Sequence, residues 1–170
     1  MKINTRQLTL TAVLAAMCTV LGGFSLRLGG SFEFSFESVP VHVAALLFGP
    51  AEGALAGGIG TFVYQVLLSG YGITATTPLW ILPYVMCGVV TGALTRRGVK
   101  MPIVFLASEL TVTGLNTVAI AADALLYGYY STALVFGALA VKVIICAAKA
   151  IAYGALLPRL IKPLRAAARV

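Results

Sequence analysis

Leu79 to Leu126 reads LWILPYVMCGVVTGALTRRGVKMPIVFLASELTVTGLNTVAIAADALL. Two long apolar runs, 79–95 and 101–126, flank the short basic link Arg96-Arg97-Gly98-Val99-Lys100. An apolar helix of about 20 residues crosses the hydrocarbon layer of a bilayer, and Arg and Lys clustered between two such helices mark the cytoplasmic face. The stretch therefore predicts two transmembrane helices joined by a cytoplasmic turn.

The rest of the chain agrees. Of 170 residues 60% are hydrophobic and only 10% charged, against roughly 25% charged in a soluble domain, and the mean hydropathy is +1.00. In lipid every backbone group must be satisfied internally, which leaves helices or closed barrels. The apolar runs are long and do not alternate strictly, so a barrel is excluded. The predicted fold is an all-α membrane protein, a single domain over 1–170 with six spans near 8–24, 39–48, 51–68, 79–95, 101–126 and 132–157. Span 51–68 carries Gly53, Gly57, Gly58 and Gly60, and small residues let helices approach closely in lipid. Between the first two spans, Ser25–Ser38 is polar and alternates Phe32, Phe34 and Phe36 with polar neighbours, which predicts a short extended segment or hairpin.

The net charge of +7 does not point to nucleic acid, because it forms no stripe with interleaved aromatics. Six spans put Lys2, Arg6, Arg96, Arg97, Lys100, Arg159, Lys162, Arg165 and Arg169 on one side and only Arg27 on the other. Both termini are therefore expected in the cytoplasm. The basic start followed by an apolar run is like a signal peptide but lacks a small-x-small cleavage site, and is read as a retained first helix. Cys18, Cys87 and Cys146 lie in apolar runs without CxxC spacing and are expected to be packing residues.

Ionisable residues within spans are costly and must face the bundle with partners. Glu109, Thr113, Asn116 and Asp123 share one face of span five, and Lys142 and Lys149 one face of span six. Glu109 and Lys149 each lie eight residues from the basic end of their spans, about 12 Å deep, so a structural ion pair is expected between them. Lys142 has no level carboxylate. Either it reaches Asp123 diagonally, or it and Asn116 face a polar ligand in an outward-facing pocket. Trp80 and Tyr84, one turn apart, are either interfacial-belt aromatics or a stacking surface for a planar ligand, and Arg27 either meets a ligand carboxylate or snorkels to headgroups. His42, the single histidine, has no neighbouring ligand set, so no metal site is expected. Nothing here makes a nucleophile–base set or an ATP site, so the chain is expected not to be an enzyme and to carry no cofactor.

One segment is familiar. Phe34-Ser35-Phe36-Glu37-Ser38-Val39-Pro40-Val41 leads to Ala44-Ala45-Leu46-Leu47-Phe48-Gly49-Pro50 and the small-rich run Gly53 to Gly60. With the six spans and the short chain, this resembles the substrate-binding S component of energy-coupling factor (ECF) vitamin transporters along essentially the whole length. Gly114-Leu115-Asn116-Thr117 and Leu126-Tyr127-Gly128-Tyr129 look like the folate-type branch in particular. The sequence departs from that branch at Gly60–Gln65, which lacks an acidic residue, and at Lys142, where an arginine is usual.

The resemblance implies capture of a vitamin-like small molecule, folate-like on this likeness, from the exterior of a prokaryotic cell. It implies a plasma-membrane location and assembly, as part of an ABC-type importer, with a transmembrane T component and two ATPase subunits that are separate chains. Ala12 and Ala16 would contact the T component. Arg27, Trp80, Tyr84, Asn116 and Lys142 would hold the ligand. Two alternatives stay open: a stand-alone secondary transporter with Glu109, Asp123, Lys142 and Lys149 as an ion relay, and a membrane scaffold whose buried charges are all structural.

Overall fold

The computed structural model describes residues 5–24, 26–27, 33–70 and 72–168. In chain order they form α1 (Thr5–Gly23), β1 (Leu26–Arg27), β2 (Glu33–Phe34), α2 (Ser38–Leu47), α3 (Pro50–Leu67), α4 (Thr77–Arg96), α5 (Met101–Leu126), α6 (Thr132–Phe136) and α7 (Leu139–Ala168). The two strands are a minimal antiparallel hairpin, with Leu26 opposite Phe34 and Arg27 opposite Glu33, in the segment where phenylalanines alternate with polar residues. Proline opens α3, α4 and α5, where its missing N–H has no helical partner to lose.

Among the described residues four helices are long and apolar enough to cross a membrane: Thr5–Gly23, Thr77–Arg96, Met101–Leu126 and the combined stretch Thr132–Leu164. The two remaining expected spans differ in kind. α2 has 10 residues, so at 1.5 Å per residue it covers about 15 Å, half the hydrocarbon thickness. α3 has length enough but carries Glu52, Gln65 and four glycines, which keep it out of that apolar group. The expected single helix at 132–157 is also revised. It breaks after Phe136 into α6 and α7, and α7 continues through Pro158 and Pro163. Each proline removes one helical hydrogen bond. The helix persists because Leu157 and Ile161 are buried in one cluster with Leu46, Leu47, Phe105 and Tyr153.

α2 is the hub of the bundle. All its residues but Val39 are buried, and it packs against α1, α3, α4 and α7. α3 bridges α1 and α4, while α5 lies between α4 and α7. The glycines of α3 make this possible. A Cβ at Gly57 would overlap the Tyr84 carbonyl oxygen, and one at Gly60 would lie 2.6 Å from Cys18 Cβ, so the backbones of α1, α3 and α4 meet where no side chain fits. Gly49, between α2 and α3, has φ +117° and lies under the Arg96 guanidinium, which brings the α2–α3 turn to the basic end of α4. Away from the interior the surface is apolar: Val13, Val20, Ile103, Leu110, Val118, Ile144 and Ile151 are all exposed, as a lipid-facing surface requires.

Candidate functional site

A buried polar chain ties four helices together in the half of the bundle nearer the basic end. Glu109 on α5 is 2% exposed. One carboxylate oxygen accepts from Lys149 Nζ of α7 at 3.0 Å; the other lies 3.2 Å from His42 Nε2 of α2. His42 Nδ1 is 2.9 Å from Thr91 Oγ1 of α4. The neutral imidazole with its proton on Nε2 satisfies the whole chain, since Nε2–H donates to Glu109 and Thr91 O–H donates to Nδ1. Phe105 and Tyr153 pack edge-on against the His42 ring at 5.0 and 5.4 Å, and the Ser38 and Tyr153 hydroxyls are 3.2 Å apart. Pairing one cation with one anion and closing the remaining polar atoms is what makes a charge tolerable at this depth.

A second polar group sits at mid-depth, at the foot of the hairpin. Glu37, just before α2, is 4% exposed and accepts from Thr61 Oγ1 of α3 at 2.8 Å, with Cys18 Sγ of α1 at 3.8 Å. Tyr84 is buried beside it with Cys18, Val41, Cys87 and Val112, and its hydroxyl is 3.5 Å from Ser35 Oγ. An interfacial-belt reading therefore fails for Tyr84. Trp80, one turn nearer the helix start, is half-buried.

The α5–α7 seam continues away from the basic end in antiparallel register. Glu109 on α5 meets Lys149 on α7. Seven residues onward along α5 and seven back along α7, Asn116 comes level with Lys142, about 10 Å beyond the ion pair. Both are half-buried. Lys142 Nζ is buried and has no hydrogen-bond partner among the described residues. A diagonal pairing with Asp123 is not formed: that carboxylate accepts from Thr76 Oγ1 at 2.5 Å and from the Tyr129 hydroxyl. The backbone of Arg27 pairs with Glu33, but its side chain lies outside the described residues. Ala12 and Ala16 are exposed on α1, whose Ala15 and Cys18 turn inward.

Spacing along the chain does not single out His42 or Glu37. It gives His42 no neighbouring ligand set and places Glu37 in an extramembrane loop, yet both are interior residues. A signal is present for each. A ten-residue apolar helix cannot cross the bilayer, so α2 must begin near mid-depth, carrying Glu37 and then His42 into the interior. Among the described residues no group of three or more His, Cys, Asp or Glu could hold a metal ion.

Helices of crossing length, a polar interior closed by small residues and an apolar exterior define a polytopic α-helical membrane protein. The family model "ECF-type riboflavin transporter, S component" matches residues 2–162. The chain belongs to that family, a family of substrate-binding transport subunits. No curated protein matches the chain. The matched model is the riboflavin type, so the folate-type likeness at Gly114–Thr117 and Leu126–Tyr129 gains no support from it.

Proposed function

We propose that the chain captures a flavin-type vitamin at the external face of a prokaryotic plasma membrane. It then passes the vitamin inward in company with an ECF T component and two ATPase subunits. Six crossings with both termini cytoplasmic, α2 and the hairpin together making one of them, put the basic clusters on one side. The ligand lies in the half of the bundle away from those clusters. Lys142 donates to a carbonyl or anionic group, Asn116 reads a ring edge, and Trp80 with Tyr84 offers a stacking surface. Arg27, on β1, is a further candidate contact.

The single observation that carries this reading is the buried Lys142 ammonium, unpartnered among the described residues. A desolvated cation without an acceptor costs several kcal/mol, a cost removed when a ligand supplies the acceptor. The relay alternative draws less support. Glu109 and Lys149 are closed on each other and on His42, while Asp123 is held by Thr76 and Tyr129, so the four relay residues fall into separate groups. The test is thermal stabilisation of the purified chain by riboflavin, flavin mononucleotide, folate and thiamin, together with co-purification of a T component. Stabilisation by a flavin without autonomous uptake is expected. Proton-coupled uptake by the isolated chain would sink the reading, and indifference to the whole panel would favour a scaffold.

A further inference from the structure

Asp123 is a carboxylate that neither the ion pair nor the proposed ligand contacts use. It lies in the last turn of α5 and holds two segments at once. Thr76, the residue before α4, donates to one of its oxygens at 2.5 Å, and Tyr129, in the turn after α5, donates to the other. Thr76 is buried, whereas Tyr129 is half-exposed and is held through its backbone. Thr76 is 3% exposed, its carbonyl accepts from Leu79 N at 2.9 Å in the first turn of α4, and its hydroxyl is 3.1 Å from that of Thr74. Thr74 N in turn donates to Thr77 Oγ1 at 2.8 Å. Tyr129 N donates to the Ala124 carbonyl at 3.0 Å, which folds the turn back onto α5. The carboxylate also faces the N-terminus of α4, where the helix dipole favours negative charge.

We infer that Asp123 is a positioning residue that clamps the start of α4 to the end of α5, and that this clamp sets how fast ligand enters and leaves the seam. The inference rests on the proposed ligand site. α4 carries Trp80 one turn after Thr76, and α5 carries Asn116 two turns before Asp123, so the clamp fixes the spacing between the aromatic wall and the polar edge-reader. Charge-assisted hydrogen bonds are roughly twice as strong as neutral ones. Asp123→Asn keeps the shape, removes the charge and replaces one acceptor oxygen with a donor.

Two measurements on the full chain in detergent test this. Hydrogen exchange reads the backbone amides of 72–77 and 127–131 without ligand, and stopped-flow flavin fluorescence with riboflavin as the probe reads association and dissociation separately. In Asp123→Asn, exchange in both segments is expected to accelerate. Both riboflavin rates are expected to rise about tenfold, with a much smaller change in Kd. Thr76→Val and Tyr129→Phe, which remove the donors one at a time, are expected to reproduce part of each effect and serve if Asp123→Asn does not fold. Unchanged exchange shows that the carboxylate does not hold the segments and overturns the clamp. Faster exchange with unaltered riboflavin rates overturns its control of access, as does a rise in dissociation alone, the mark of a general structural lesion. If the unaltered chain binds no riboflavin, the flavin reading fails, and exchange alone decides the clamp.

Discussion

Lys149→Ala removes the ammonium that faces Glu109, and the structure fixes what is left behind. The Glu109 carboxylate is 2% exposed and keeps His42 Nε2 at 3.2 Å but loses its lysine. Removing one partner of a buried ion pair costs about 3–5 kcal/mol, because the other charge is stranded without compensation. The Lys149 ammonium also lies 5.9 Å from the Tyr153 ring centre, an attraction that alanine removes as well. Against a total of about 5–15 kcal/mol this is a large share. The chain should still fold but unfold at markedly lower denaturant. The double substitution Glu109→Gln with Lys149→Met removes both charges, keeps an acceptor for His42, and should recover all but about 1–2 kcal/mol. The assay is reversible unfolding in mixed micelles, followed by helical circular dichroism, run on Lys149→Ala and on a double-mutant cycle of Glu109→Gln and Lys149→Met. A single substitution costing under about 1 kcal/mol, or a double variant no better than Lys149→Ala, would refute the claim that this pair works by compensating buried charge.

The other expectations concern separate parts of the molecule. Lys142→Ala should weaken riboflavin binding roughly ten- to a hundredfold, the worth of one hydrogen bond from a charged donor, and make the ligand-free chain no less stable, because it removes a buried cation unpartnered among the described residues; lost stability with intact binding would mean that the roles of Lys142 and Lys149 are reversed. Gly88→Ala drives a Cβ into the Gly53 carbonyl group, so α3 and α4 must part, at a cost of about 1–3 kcal/mol in the same unfolding assay; no loss would show that the packing there is slack. Ala12→Leu with Ala16→Leu alters two exposed positions on α1 and should leave riboflavin binding intact while abolishing co-purification with the T component. Retained co-purification would remove that stripe from the interface.

Much of the architecture was legible in the residues because lipid leaves so few options. Long apolar runs, basic clusters at the chain ends and in one link, and glycines on α3 all act through local composition and spacing. The Glu109–Lys149 contact could be anticipated for the same reason: two residues at equal depth on adjacent antiparallel helices have few other places to put their charges. Likewise the alternation around Phe34 anticipated a short extended segment, found at Glu33–Phe34, since a period of two needs only local backbone geometry; Phe32 lies outside the described residues and Phe36 outside the strand.

Tertiary structure alone decided the rest. Whether a lysine is paired depends on where every nearby acceptor goes. Asp123 could have reached toward Lys142, but Thr76 and Tyr129, 47 and 6 residues away in the chain, take both its oxygens. No pattern along one helix records that competition. His42 and Glu37 became interior residues through the start of α2 at mid-depth, a consequence of how a half-length helix is packed by α1, α3, α4 and α7. The continuation of α7 through Pro158 turned on packing of Leu157 and Ile161 against the core, which overrode the local signal of a proline. Depth and burial follow from periodicity in a membrane; the pairing of polar groups follows from which helices touch.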